Sequence, residues 1–574
     1  MSHRHRPSLL GALLWTGLGV LFLLRNFGVG PDIWSLASRY WPILLILLGV
    51  GKVIDYFLQK DAVSIRVGEI IGILLLLFLG SALTRIPDSH MARLVRDLPI
   101  QIGGASVRPG QWIGDSHTYS EDVTYPLQST MPIRIENAYG SISIAPGSDR
   151  EVRVRLKKVV YADEARAKNI ADEIHMEAAS ESKGESPTTL KPEAEPGKRS
   201  DSQYFVVRTN RETLSSKDYM FNTDMEIFVP KSSQLQVENT FGDLRVAEIN
   251  GKLDLSTTHR ALDVRDCTGE FIVSTRFAES HLTNLVGNVS LDSRSRGRVY
   301  LENIKGDVNV TNEYSPLDIL GVDGKVAVSS TEGNIRVENI AKPVVIDARG
   351  AQVQVSNLKE SLKVTASHGG VDISNVASDV VLNSSYATIA LKDIRGKVGI
   401  NSNSDRINAD AIRGPFTVQA RASSVRLNGI EGPLDIQTTL KDVIVNDVVD
   451  SCSVTNEYAD ISVSAQSLGK GDIRVKNRNG GIDLFLPEEA SFLMEATARN
   501  GSVETDYAGL QPARNEGNAG VLRSKVKAGG PKITLETDYG NIHISSTSGN
   551  RGNHVGKKAT EPAEGNVHVN INVN

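Results

Sequence analysis

From Ser233 onward the apolar residues of this chain keep a fixed beat. With Gly251 as position zero of a unit, the same small-x-apolar-x-apolar start recurs at Ser233, Gly269, Gly287, Gly306, Gly324, Lys342, Glu360, Ser378, Gly396, Gly414, Gly432, Asp450 and Gly471. Successive starts lie 18 residues apart, with one interval of 19 and a last one of 21, so fourteen units share a register. Offsets +2 and +4 are apolar in every unit, as in Val326 and Val328 or Phe416 and Val418. Offsets +11 and +13 are apolar again, as in Ile335 and Val337, and +16 is filled by residues such as Ile340, Leu358 and Val376. Alternation of this kind marks strands with one buried face. Each unit therefore predicts two short strands joined by tight turns.

Offset +6 is small throughout, from Thr257, Thr275 and Ser293 through Asn312 and Ser330 to Asn456 and Asn477. That column suits a bend where the chain turns back over a narrow core. A single unit cannot bury its apolar face alone, so neighbours must stack. The fold class predicted is all-β, a β-solenoid of one unit per coil. The spacing does not suit the left-handed hexapeptide helix and favours a right-handed coil. At about 4.8 Å per coil the periodic part forms a rod roughly 60 Å long.

Ahead of the rod the pattern changes solvent. Leu9 to Leu24, Tyr40 to Leu58 and Ile70 to Leu83 are apolar runs. Each approaches the roughly 20 residues that cross hydrocarbon, although the first and third are short. Trp34, Tyr40 and Trp41 stand where an interfacial aromatic belt lies. Leu23-Leu24-Arg25-Asn26 is not a small-residue cleavage site, so the first run reads as retained. Two or three helices are predicted, and Lys and Arg divide evenly across them, which leaves the side holding the rod open.

The domain organisation expected is a transmembrane segment over 1–86, a linker over 87–130 and a β-rich entry region over 131–232. The solenoid follows over 233–486, then a C-terminal β cap over 487–545 and a flexible tail over 546–574. Within the entry region, Met131 to Ile144 reads as a hairpin or first coil and Ala162 to Met176 as an amphipathic helix. Ala178 to Ser202, rich in Ser, Glu, Lys and Pro, reads as an insertion without structure. A solenoid end exposes unpaired backbone and needs a cap.

The residues Gly17-Leu18-Gly19-Val20-Leu21-Phe22-Leu23-Leu24-Arg25-Asn26 and Tyr40-Trp41-Pro42-Ile43-Leu44-Leu45-Ile46-Leu47-Leu48-Gly49 carry a likeness. This segment resembles the LiaF-like transmembrane region of bacterial cell-envelope proteins. The resemblance implies a bacterial plasma membrane and an association with envelope-stress signalling. Further on, Asn137-Ala138-Tyr139-Gly140-Ser141-Ile142 and Asn239-Thr240-Phe241-Gly242-Asp243-Leu244 share a signature. It is echoed at Asn500-Gly501-Ser502-Val503 and at Thr537-Asp538-Tyr539-Gly540-Asn541-Ile542-His543-Ile544. From about Met131 to Ser545 the chain resembles the bacterial candidate-adhesin domain of β-strand repeats. That family implies the fold and offers no active-site residues to carry over.

Composition adds little chemistry. A net charge of -5 without a basic patch is not the footprint of a nucleic-acid binder. Cys267 and Cys452 fall on inward-facing offsets roughly 50 Å apart along the rod, too far for a disulfide. Asp405 beside Arg406 and Asp442 beside Lys441 are the acid and base pairs to weigh for a polysaccharide-cleaving site, and outward charges on a strand are ordinarily solvation. Arg recurs irregularly at +7, at Arg276, Arg294, Arg349, Arg421 and Arg478. No metal-ligand spacing, phosphate loop or nucleophile elbow is present, so no cofactor or metal is expected.

Offset +8 carries an aromatic at Phe241, Tyr314, Tyr386 and Tyr458, one every four coils. These rings either cover the bend as a relic of duplication or form an exposed row about 19 Å apart that stacks on sugars or a partner. The function expected is a non-catalytic, membrane-anchored envelope protein of the plasma membrane, with the rod on the outer side. Its partners would be the membrane with envelope proteins or surface glycans, and no nucleic acid. The alternatives are a polymerising membrane-bound scaffold and, ranked last, a polysaccharide-degrading β-helix enzyme.

Overall fold

The computed structural model describes residues 100–102, 105–107, 116–127, 131–182, 203–215, 217, 219–511 and 514–547. The chain divides into two units, 1–115 and 116–574. In the first, Ile100–Ile102 and Ala105–Val107 form an antiparallel hairpin. The apolar runs Leu9 to Leu24, Tyr40 to Leu58 and Ile70 to Leu83 lie outside the described residues, as does the tail beyond 547. Among the described residues no helix is long and apolar enough to cross a membrane.

The second unit is the β-solenoid, with about 14 turns. A unit such as 324–341 folds as Val326–Thr331, a bend, and Ile335–Ile340. Both strands pair in parallel with the same offsets of the next coil, Val326 with Val344 and Ile335 with Val353. The inward offsets form one continuous core in which Val326, Val337, Ile346, Val355, Leu382 and Ile400 are buried. An outward residue on either strand faces water, which is why the alternation reads so cleanly.

Two features fix how closely coils stack. At position zero a Cβ on Gly269 would sit 1.9 Å from the Gly251 carbonyl oxygen, with the backbone at φ +143°. Only hydrogen fits there, and only glycine tolerates that dihedral freely. At the second bend the chain passes through the left-handed region at Asn284, Asn303, Asn339, Asn357 and Asn375, with φ between 52° and 60°. Asn tolerates that conformation better than other side-chain-bearing residues. The amides also bond from coil to coil, Asn303 Nδ2 donating to Asn284 Oδ1 at 2.8 Å and Asn375 Nδ2 to Asn357 Oδ1 at 2.7 Å.

Stacking continues past both ends of the periodic segment, in an order the sequence does not follow. Ile133–Tyr139 and Ile142–Pro146 make a coil that pairs in parallel with Leu235–Phe241 and Leu244–Ala247. On its other side the same coil pairs in parallel with Gln203–Thr209 and Phe221–Val229. The first coil in sequence is thus wedged between the second and the third. The far end mirrors this. Lys532–Tyr539 and Ile542–Ser546, the last coil in sequence, pair with Ile473–Asn479 and Ile482–Leu486 on one side. On the other side they pair with Phe492–Asn500 and Val503–Thr505.

Antiparallel strands then cover the outermost coils. Glu151–Tyr161 pairs with Phe221–Val229, Ser116–Pro126 pairs with Glu151–Tyr161, and Met176–Ser182 pairs with Gln203–Thr209. Met176–Ser182 runs into the stretch expected to be without structure, because it pairs along its whole length with Gln203–Thr209; residues 183–202 lie outside the described residues. The helix α1, Glu164–Glu173, joins two of these strands and buries Ala167, Ile170 and Ala171. Asp163 caps it by accepting from the Arg166 amide at 3.0 Å. Lys158, almost wholly buried, ties the cap together: its Nζ lies 2.6 Å from Glu121 and 3.0 Å from the Ala171 carbonyl. At the other end Ala519–Val526 pairs antiparallel with Phe492–Asn500. There the buried Tyr507 packs edge-on to Phe492 at 5.5 Å and donates its hydroxyl to the Pro487 carbonyl at 2.6 Å.

Gly269→Ala puts a methyl into the backbone of the coil below, so it is expected to cost at least about 2 kcal/mol. A lowered denaturation midpoint by circular dichroism checks this, and an unchanged midpoint contradicts the close-approach reading.

Candidate functional site

The bend between the two strands of each coil is where chemistry-bearing side chains gather. Its foundation is the small residue at +6, which in several coils is an Asn for a reason the size argument alone does not give. Asn312 is buried and its Nδ2 donates to the Ser315 carbonyl at 2.8 Å and to Ser330 Oγ at 2.9 Å. Asn456 Nδ2 reaches the Tyr458 carbonyl at 2.7 Å, and Asn239 Nδ2 the Gly242 carbonyl at 2.9 Å. In these coils the Asn amide satisfies turn carbonyls that have no ladder partner.

Two residues further on, several coils enter the left-handed region with bulky side chains. Phe277, Tyr314, His368, Tyr386 and Leu440 have φ of 52°, 68°, 54°, 57° and 70°. A non-glycine residue there costs roughly 1–2 kcal/mol. The geometry turns these side chains out of the sheet. Tyr314, Tyr386 and Tyr458 are 48%, 58% and 43% exposed.

Phe241, expected to belong to the exposed row, is partly buried with both ring faces covered. Its ring stacks on Tyr139 at 4.9 Å and on His259 at 4.4 Å, and His259 stacks on Phe277 at 5.5 Å. Arg211 closes the column, its guanidinium 4.8 Å above Tyr139. Four successive coils thus carry a continuous ring ladder, made possible because register places +8 over +8 at the stacking distance. His368 and Tyr386 form a second, shorter stack at 5.2 Å. His259, Phe277 and His368 escape a reading that follows one aromatic every four coils. Inspecting each +8 residue in turn finds them.

The catalytic candidates resolve differently. Asp405 is buried and serves the bend: its carboxylate accepts from the Ala387 amide at 2.7 Å and from the Ser402 hydroxyl at 2.8 Å. Asp442 stays exposed and accepts from the Asp460 amide at 3.3 Å. Neither belongs to a cluster of acids, and no group of metal-ligating side chains occurs among the described residues. The Arg side chains at +7, including Arg294, Arg421 and Arg478, are exposed. Cys267 and Cys452 are both buried free thiols. Burial pushes Cys452 up to about 12 and raises Cys267 as well.

A stacked-coil rod with a repeated turn signature and a bend lined by aromatics is a β-solenoid of the strand-repeat type. The family model described as Toastrack DUF4097 matches residues 132–545, and the chain belongs to that family. A second model, the LiaI-LiaF-like transmembrane region, matches residues 9–53. The two resemblances read from the residues are therefore those the family models give. No curated protein matches the chain. A crystal structure from Clostridium sporogenes, described as a candidate cell adhesion protein, aligns with 75% of this chain and 100% of its own at 8% identity and a TM-score of 0.11. A score so low carries no argument.

With both thiols neutral and sealed, an aromatic disulfide reagent at pH 8 is expected to label neither cysteine in the folded protein and both after denaturation. Rapid labelling of the native chain would contradict their inward placement.

Proposed function

We propose that this protein is a non-catalytic binding rod held at a bacterial plasma membrane, which presents its aromatic bend to a ligand on the outer side. The observation that carries the reading is the placement of Tyr314 and Tyr386 at exposed, left-handed positions. Asn, Asp or Gly would fill such positions at lower cost, as Asn does at the opposite bend. Backbone strain kept at the surface points to use. Exposed tyrosines offer large rigid contact area with little entropy to lose. The membrane match at residues 9–53 supports the anchor. The deployment of Asp405 in hydrogen bonds of the bend supports a structural use for this buried carboxylate. Polymerisation end to end would need a free parallel edge, and antiparallel strands follow the outermost coil at either end.

Substituting Tyr314, Tyr386 and Tyr458 together with Ala is expected to abolish attachment of the protein to envelope material while leaving its melting temperature within a few degrees of wild type. Unchanged attachment would remove the aromatic bend from the function. Protease added to intact cells is expected to digest a tag placed after Asn574. Protection until the membrane is opened would put the rod on the cytoplasmic side.

A further inference from the structure

The +8 column is a ring ladder with rungs missing, and two of its gaps are one coil wide with an aromatic on each side. Phe277 and Tyr314 stand two coils apart, 70% and 48% exposed. The coil between them carries Ser295, which turns inward and donates its hydroxyl to the Ala278 carbonyl at 2.8 Å, so that rung holds no ring. Tyr458 and Tyr539, 43% and 59% exposed, also stand two coils apart. The coil between them carries Asn479, in register with both, whose short side chain lies back on the rod with Nδ2 donating to the Glu457 carbonyl at 3.5 Å. Two rungs span about 10 Å, and one inserted ring would stand about 5 Å from each neighbour. The occupied part of the ladder has that spacing, at 4.4 to 5.5 Å.

The polar residues beside the gaps also match. In both cases the coil with the missing ring places an exposed Arg immediately before the gap, Arg294 and Arg478. In both, a Glu precedes the Tyr of one flanking coil, Glu313 before Tyr314 and Glu457 before Tyr458. Arg294 lies in backbone register with Glu313, and its guanidinium stands 3.6 Å from the Asp292 carboxylate. Among the described residues no cation stacks on any of the four rings.

We infer that each gap is a slot for one sugar ring of an extended polysaccharide, clamped between the two aromatic faces, with Arg and Glu at its rim. This rests on the binding-rod reading and names its ligand class. A pyranose presents apolar C–H faces above and below and hydroxyls around its rim. It therefore asks for rings on both sides and planar donors and acceptors at the edge. An aromatic side chain from a protein partner would be stacked equally well, but it has no hydroxyl rim to use a guanidinium and a carboxylate at both slots.

Asn479→Tyr separates this slot from a simple aromatic surface. The turn Asn477-Arg478-Asn479-Gly480 has the form of Asn239-Thr240-Phe241-Gly242, which already holds a ring, and Gly480 and Gly242 have φ of 149° and 157°. The substitution therefore suits the fold and fills the gap. Full-length protein in detergent micelles would be titrated calorimetrically with an oligosaccharide of β-linked N-acetylglucosamine. Asn479→Tyr is expected to halve the number of sites, and adding Phe277→Ala to weaken the remaining site about tenfold. Binding by Asn479→Tyr with wild-type stoichiometry would overturn the slot. If attachment to envelope material is still lost in the triple Ala variant, the aromatic surface survives that result. No saccharide binding by wild type would overturn the sugar assignment, and a normal melting curve for Asn479→Tyr shows that a lost site is not a lost fold.

Discussion

Everything in the rod depends on how closely each coil rides on the one beneath it. The parallel ladders set the spacing, and a carbonyl standing 1.9 Å from where the Cβ of Gly269 would be shows how little slack the corner allows. With the corners fixed, register follows. Inward residues meet their own kind in the neighbouring coil, asparagines at one bend bond to asparagines, and rings at the other lie over rings. A single slip would move every side chain to the opposite face.

That regularity is why so much of the molecule is legible in its sequence. Offsets +2, +4, +11, +13 and +16 identify strands, burial and stacking together, because in a solenoid the contact partner of a residue is simply its counterpart one unit on. Legibility fails where the partner is no longer one unit away. The alternation around Phe492 and Ile533 announces strands, yet nothing local states that Lys532–Tyr539 belongs between two coils made earlier. It is equally silent on the placement of Ile133–Tyr139 between Gln203–Thr209 and Leu235–Phe241. The tyrosines were readable as a column from their offset, with their exposure one of two alternatives. The covering of Phe241 was not, because one of its neighbours is a histidine and the other comes from across the entry region.

The two bends show opposite solutions to the same backbone problem. Both must pass through a left-handed residue. At one, Asn relieves the strain and its amide is used within the rod. At the other, several coils retain Tyr, Phe, His or Leu, which gain nothing locally except where a ring finds another ring. Local preference and global fold disagree there, and disagreement of that kind is where a sequence departs from its own stability to serve another purpose.

The wedged coils at the two ends give the rod an unusual resistance to peeling. An ordinary solenoid frays because its terminal turn has a neighbour on one side only, so each turn lost exposes the next. Here the coil nearest each chain terminus is bonded on both sides. To free either of these coils, a strand must be drawn out from between two ladders that both have to break. Chain order therefore stitches the coils at both ends, and a pull from the N-terminal side meets an inner turn once the edge strand Ser116–Pro126 has come away.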